Sequence, residues 1–62
     1  MKITFLDKRK MSFVEVGNVV QIQLLPHWRI HEWMCITSDN ERLGYNCTRF
    51  ELQRIDERKD KA

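Results

Sequence analysis

The sequence is short of the features that mark several classes of protein. Its two cysteines, Cys35 and Cys47, are too few for the disulfide framework of small secreted domains, and their spacing fits no Cys-x-x-Cys metal or redox pattern. No stretch approaches the roughly 18 consecutive apolar residues of a membrane span. The composition therefore predicts free thiols, most simply buried ones, and a soluble chain with no membrane partner.

Targeting signals are also missing from the residues at the start of the chain. The segment 1–8 has a charge at each end of a short apolar run and no small-residue cleavage site, so we expect no signal peptide. A cytoplasmic location is the corresponding expectation.

Glycine and proline are scarce, with two glycines and one proline in 62 residues. This scarcity leaves no glycine-rich phosphate loop, no low-complexity linker and no repeat, so nothing divides the chain. We predict one small domain over residues 1–55, followed by a charged flexible tail over 56–62. A domain this short buries only about 60% of the surface of its unfolded chain, so dimerisation would stabilise it, and a homodimer is left open.

The segments that are present have the patterns of short β-strands. Val20, Ile22 and Leu24 alternate with Gln21 and Gln23, the period of two that places apolar side chains on one face of a strand. The opposite face, which carries Gln21 and Gln23, is either exposed to solvent or an interface with a second copy of the chain. Strand-like patterns occupy residues 3–6, 13–16, 19–25, 30–37 and 43–47.

Turn-forming residues separate these segments. Gly17-Asn18 suits a tight turn with positive φ, Pro26 ends the third strand, and residues 38–41 predict a hairpin turn. From Phe50 the apolar spacing changes, which fits either a short helical turn or a last strand. The pattern predicts an all-β fold, a small five-stranded antiparallel barrel or curled sheet, with a short C-terminal helical turn as an option.

Candidates for catalysis and metal binding are thin. His31 and Cys35 share a face of a predicted strand about 13 Å apart, too far for a direct dyad. The set His27, His31, Cys35 and Cys47 has ligands of zinc type, but the cysteines stand singly in strands rather than paired on knuckles. We therefore expect no enzyme activity, no metal and no cofactor, although copies of the chain could still assemble a site by symmetry.

Basic and aromatic residues are the more suggestive features. Single-stranded nucleic acids are commonly held by rings that stack on bases and by cations that meet phosphates. Either Trp28 or Trp33 could instead fill the core, and Trp28 is the better candidate for a surface position. The basic run Lys8-Arg9-Lys10 could simply protect the edge of a strand against aggregation. Arg42, Arg54 and Arg58 alternate with acidic residues, which are their expected ion-pair partners. Arg49 is the arginine of this region that we expect to have no such partner. The predicted nucleic-acid-binding residues are Lys8, Arg9, Lys10, Trp28, Arg29 and Arg49.

Two family resemblances point the same way. The chain resembles the SH3-like small barrels of the Tudor and KOW type in four places: Val16–Ile22, Trp33, residues 44–47 and Phe50–Ile55. That resemblance covers most of the chain from Val16 to Ile55 and implies binding of nucleic acid or peptide segments.

The second resemblance is to the carbon storage regulator family of RNA-binding translational regulators. Residues 4–9 resemble its opening strand, residues 13–25 its second and third strands, and residues 53–55 its helix. This resemblance implies RNA contacts by Lys8, Arg9 and Arg49 and an interlocked dimer.

The prediction is thus a non-enzymatic regulatory or adaptor module that binds nucleic acid, RNA rather than DNA. The alternative is a protein-binding module, such as a small inhibitor or subunit that docks on a larger complex through a strand edge or an aromatic patch.

Overall fold

The computed structural model of the chain describes residues 1–26 and 28–57. His27 and residues 58–62, which are most of the predicted tail, lie outside the described residues. The described chain forms six β-strands: β1 (Lys2–Asp7), β2 (Ser12–Val16), β3 (Val19–Leu25), β4 (Glu32–Thr37), β5 (Arg42–Asn46) and β6 (Phe50–Asp56).

The strands form two antiparallel sheets of three strands each, ordered β2-β1-β6 and β3-β4-β5. This confirms an all-β fold but corrects the five-stranded barrel. No ladder joins the two sheets among the described strands, so the six strands do not close into a barrel. At one corner the main chains of Met1 and Val19 exchange two hydrogen bonds of 2.8 and 3.0 Å, which tie the sheets together.

A β-bulge in β3 changes which side chains face inward. Val19 lies opposite Thr37, whereas the next pair is Gln21 with Ile36, so Val20 is an extra residue on the strand. Val19 is consequently 1% exposed and Val20 61% exposed. The predicted inward face of Val20, Ile22 and Leu24 was therefore wrong for Val20 and holds for Ile22, which packs against the core. Leu24 is 45% exposed, so it does not belong to the core either.

A second bulge explains the apolar spacing that admitted a helical turn near the C-terminus. Phe5 of β1 lies opposite Leu52 and Thr4 lies opposite Arg54, so Gln53 is the extra residue of β6. Leu52 and Ile55 can then be three apart and still lie opposite inward-facing residues of β1. No helix is present in the parts of the chain that the structure describes.

The core lies between the two sheets and is small. Its five buried apolar residues come from both sheets and include one thiol: Ile3, Phe5, Val16, Val19 and Cys35. A cluster of three rings adds to it, because Phe5 stacks on Tyr45 at 4.5 Å between ring centroids and meets the edge of Phe50 at 6.4 Å. Phe5 and Phe50 belong to one sheet and Tyr45 to the other, so this cluster joins the sheets.

The predicted turns are confirmed in two places by backbone conformation. Asn18 has φ of 57° between β2 and β3, and Asn40 has φ of 68° in the hairpin between β4 and β5. Asparagine tolerates this left-handed region better than most residues. No helix long and apolar enough to cross a membrane occurs within residues 1–26 and 28–57.

Candidate functional site

Three connecting segments meet at one end of the molecule. They are the β1–β2 turn (8–11), the β3–β4 loop (26–31) and the β5–β6 turn (47–49), and together we call them the basic end. Main-chain hydrogen bonds link them: the amide of Lys8 donates to the carbonyl of Arg49 at 2.8 Å, and that of Cys47 to the carbonyl of His31 at 2.9 Å. All six predicted binding residues belong to these segments.

Charge is distributed unevenly between the two ends. The segments of the basic end contain five lysine or arginine residues and no aspartate or glutamate. The turns at the opposite end, 17–18 and 38–41, contain two carboxylates and no lysine or arginine. A chain whose net charge is only +2 thus has a locally cationic end.

Three arginines of the basic end, one from each segment, line a single open cleft. Arg9, Arg29 and Arg49 line a volume of about 530 Å³. One carboxylate, Glu32 at the start of β4, also lines it, as do Ile30, Asn46 and Thr48. The guanidinium group suits phosphate because it offers several N–H donors in a rigid planar arrangement. The cleft can therefore receive an anion with more than one oxygen acceptor.

Arg49 is not the free cation that its sequence context predicted. Its Nε and Nη2 donate to the two carboxylate oxygens of Asp7, at 3.0 and 2.9 Å. Asp7 is 3% exposed, and the Arg49 guanidinium lowers the pKa of that carboxyl from 3.8 to about 2. Two of the five N–H groups of Arg49 are used in this pair, and its side chain remains 32% exposed in the wall of the cleft.

Trp28 lies at the surface of the basic end, as predicted. It is 82% exposed, and the guanidinium carbon of Arg29 stands 4.7 Å from the centroid of its ring. Trp33, in contrast, is half-buried and packs against the core. An exposed indole ring beside a cation is an arrangement on which a planar group, such as a nucleic-acid base, can stack.

The two lysines of the β1–β2 turn differ in their contacts. Lys8 Nζ lies 3.4 Å from the carbonyl oxygen of Cys47, which directs its side chain toward the β5–β6 turn. Lys10 is exposed, and its amide lies 3.4 Å from an oxygen of Asp7.

Among the described residues, the two cysteines and His31 are not brought together into a metal site. Cys35 is buried in β4, Cys47 is half-buried in the turn after β5 rather than on that strand, and both thiols are free. His31 is exposed in the β3–β4 loop, and His27 lies outside the described residues. No group of three metal-ligating side chains occurs among the residues that the structure describes.

Sequence reasoning missed Asp7 and Asn46, which organise the basic end. The Oδ1 of Asn46 accepts a hydrogen bond of 2.8 Å from the amide of Arg49, and Oδ1 of Asp7 accepts one of 3.1 Å from the amide of Arg9. Aspartate or asparagine at the start of a turn commonly bonds a backbone amide two or three residues further on. That local signal was available at both positions.

Comparison with known proteins identifies no relative. No protein-family model, no curated protein and no solved structure matches the chain.

Proposed function

We propose that this chain is a non-enzymatic module that binds single-stranded RNA through its basic end. The observation that carries the proposal is the convergence of three arginines from three separate segments on one cleft, beside an exposed indole. Phosphates of the RNA backbone would occupy the cleft, and a base would stack on Trp28.

The electrostatic part of the proposal depends on the sorting of charges between the ends. Phosphate contacts supply most of the affinity of proteins that bind nucleic acids without a strict sequence requirement. Five cations within three linked segments outnumber the one carboxylate that lines the cleft, Glu32, and provide such contacts although the chain as a whole is nearly neutral.

The aromatic part favours unpaired nucleotides over a duplex. A base can stack on Trp28 only if its face is not already covered by neighbouring base pairs. RNA loops, bulges and single strands present such bases, and proteins commonly recognise them by stacking on aromatic rings.

Salt dependence of binding tests the proposal. A fluorescein-labelled single-stranded RNA of mixed sequence is titrated at several salt concentrations, with single-stranded DNA and duplex RNA of the same sequence alongside. Three to five phosphate contacts predict a slope of about −2 to −3.5 in log K against log salt. Affinity should therefore fall by about 20- to 100-fold between about 50 and 200 mM salt.

Matched substitutions locate the site. Arg29→Gln should reduce the slope by about 0.7, whereas Arg42→Gln, near the opposite end, should leave it unchanged. Trp28→Ala should weaken binding about five-fold or more, whereas Phe13→Ala, on the outer face of the sheet β2-β1-β6, should not. If no RNA or DNA binds even at low salt, the proposal fails and the rival of a salt-resistant protein-binding module replaces it.

A further inference from the structure

Among the residues that the structure describes, Asp7 is the buried carboxylate at the edge of the basic end. It is the last residue of β1, and its side chain points inward, on the same face as Phe5. Its Oδ1 accepts the amide hydrogens of Arg9 at 3.1 Å and, at a longer 3.4 Å, of Lys10, as well as a hydrogen from Arg49 Nε. Its Oδ2 accepts one from Arg49 Nη2.

One carboxylate therefore holds two of the three segments that form the cleft. The bonds to the amides of Arg9 and Lys10 shape the β1–β2 turn, and the two-point contact with Arg49 sets the plane of a guanidinium that lines the cleft. The backbone of Arg49 is anchored separately by Asn46 and Lys8, so the contact with Asp7 acts mainly on the Arg49 side chain.

We infer that Asp7 is a positioning residue of the RNA site, and that its negative charge strengthens the binding of a polyanion. This inference rests on the proposed function. Simple electrostatics predicts the opposite sign, because a carboxylate near a phosphate repels it. The opposing effect is preorganisation: a cation already fixed in its binding geometry loses less side-chain freedom when the phosphate arrives.

Preorganisation should outweigh repulsion at this position. Removing the charge of Asp7 raises the net charge of the basic end by one. Because the cleft is open to solvent, the resulting gain in attraction for a phosphate is screened and small. Replacing Asp7 with asparagine releases the Arg49 side chain from the two-point contact, whereas the asparagine Oδ1 can still accept the amide hydrogens of Arg9 and Lys10. Freeing this one side chain is expected to weaken binding by about two- to ten-fold.

Asp7→Asn and Asp56→Asn form a matched pair for the test. Asp56 also pairs with an arginine, Arg54, at 3.0 Å, but it lies in β6 at the opposite end of the molecule. Affinity for the labelled single-stranded RNA is measured for both variants and the wild type, at a temperature where circular dichroism shows all three folded. We expect about two- to ten-fold weaker binding for Asp7→Asn and no loss for Asp56→Asn.

The salt slope separates positioning from a general loss of structure. If Asp7 acts by holding Arg49 against a phosphate, Asp7→Asn should also reduce the slope by about 0.7, one phosphate contact. A variant that is merely partly unfolded would bind with the wild-type slope and a smaller active fraction.

A second variant keeps the test decisive if Asp7→Asn does not fold. Arg49→Lys retains the positive charge but cannot make the two-point contact with Asp7, so it should also weaken binding although the number of cations is unchanged. The role of Asp7 is overturned, while the proposed function stands, if the wild type binds RNA and every folded variant of the two, Asp7→Asn and Arg49→Lys, binds RNA as tightly as the wild type or more tightly. If the wild type binds no RNA, the proposed function is overturned and this inference with it.

Discussion

Replacing Phe5 with alanine is expected to destabilise the protein strongly, whereas the same replacement at Phe13 should not. Phe5 is 0% exposed and contacts the rings of Tyr45 and Phe50, which themselves meet edge to face at 5.1 Å. Phe13 is 66% exposed on the outer face of the same sheet. The two positions compare one residue type in neighbouring strands, so the comparison isolates burial.

The expected size of the effect follows from the small core. A 62-residue domain has a free energy of unfolding of about 3–9 kcal/mol, at roughly 0.05–0.15 kcal/mol per residue. Truncating a buried phenylalanine to alanine costs about 3–5 kcal/mol. Phe5→Ala should therefore remove between about a third and all of the stability, and Phe13→Ala less than about 1 kcal/mol.

A milder variant measures the ring contacts themselves. Phe5→Leu keeps an apolar side chain in the core but loses two aromatic pairs, each contributing about 0.5–1.5 kcal/mol beyond its buried area. We expect a folded protein that is about 1–3 kcal/mol less stable, with a melting temperature lower by roughly 5–20 °C. Urea denaturation followed by circular dichroism and by tryptophan fluorescence measures all three variants. Equal stability losses for Phe5→Ala and Phe13→Ala would refute the assignment of the core.

Two further predictions concern titratable groups. Because the hydrogen bond from Arg49 lowers the pKa of Asp7 from 3.8 to about 2, its contribution to stability should be complete above about pH 4 and lost as the pH falls toward 2. Acid titration of the melting temperature should show a shallower decline in that window for Asp7→Asn, and an unchanged decline would contradict the pairing. Burial raises the pKa of the Cys35 thiol, so a thiol reagent should modify Cys47 in the native protein and reach Cys35 only on unfolding, at rates read from single-cysteine variants. Equal native rates for both thiols would contradict the burial of Cys35.

Local patterns predicted the strands and turns well because they are determined by neighbouring residues. The period of two around Ile22, the Gly17-Asn18 turn and the proline after β3 each act within a few residues of the chain. The exposure of Trp28 followed from the same reasoning, since it lies in a segment between a proline and the next strand.

The two bulges could not be predicted because an extra residue on one strand is defined only against its partner strand. Val20 has the composition of an inward-facing strand residue and becomes exposed only because Thr37 and Ile36 are the residues opposite. The spacing of Leu52 and Ile55 likewise required β1 as a partner before it could be distinguished from a helical turn. The number of strands was wrong for the same reason.

The pairing of Arg49 was equally out of reach, because its partner Asp7 lies 42 positions away in the sequence. Acidic residues close in sequence, Glu51 among them, were the expected partners of the arginines of this region. The fold instead brings the end of β1 beside the start of β6, where Asp7 lies opposite Phe50.

Charge separation is a consequence of strand direction in this fold. The β1–β2, β3–β4 and β5–β6 connections lie at one end of the molecule. The β2–β3 and β4–β5 connections lie at the other end. Cations in alternate connections therefore add at one end even when acids elsewhere cancel them in the net charge. A nearly neutral composition is thus a poor guide to phosphate binding in a small antiparallel protein. The charges of the connections at one end should instead be compared with the charges of the connections at the other end. For this chain that comparison separates all five cations of the connections from both of their carboxylates.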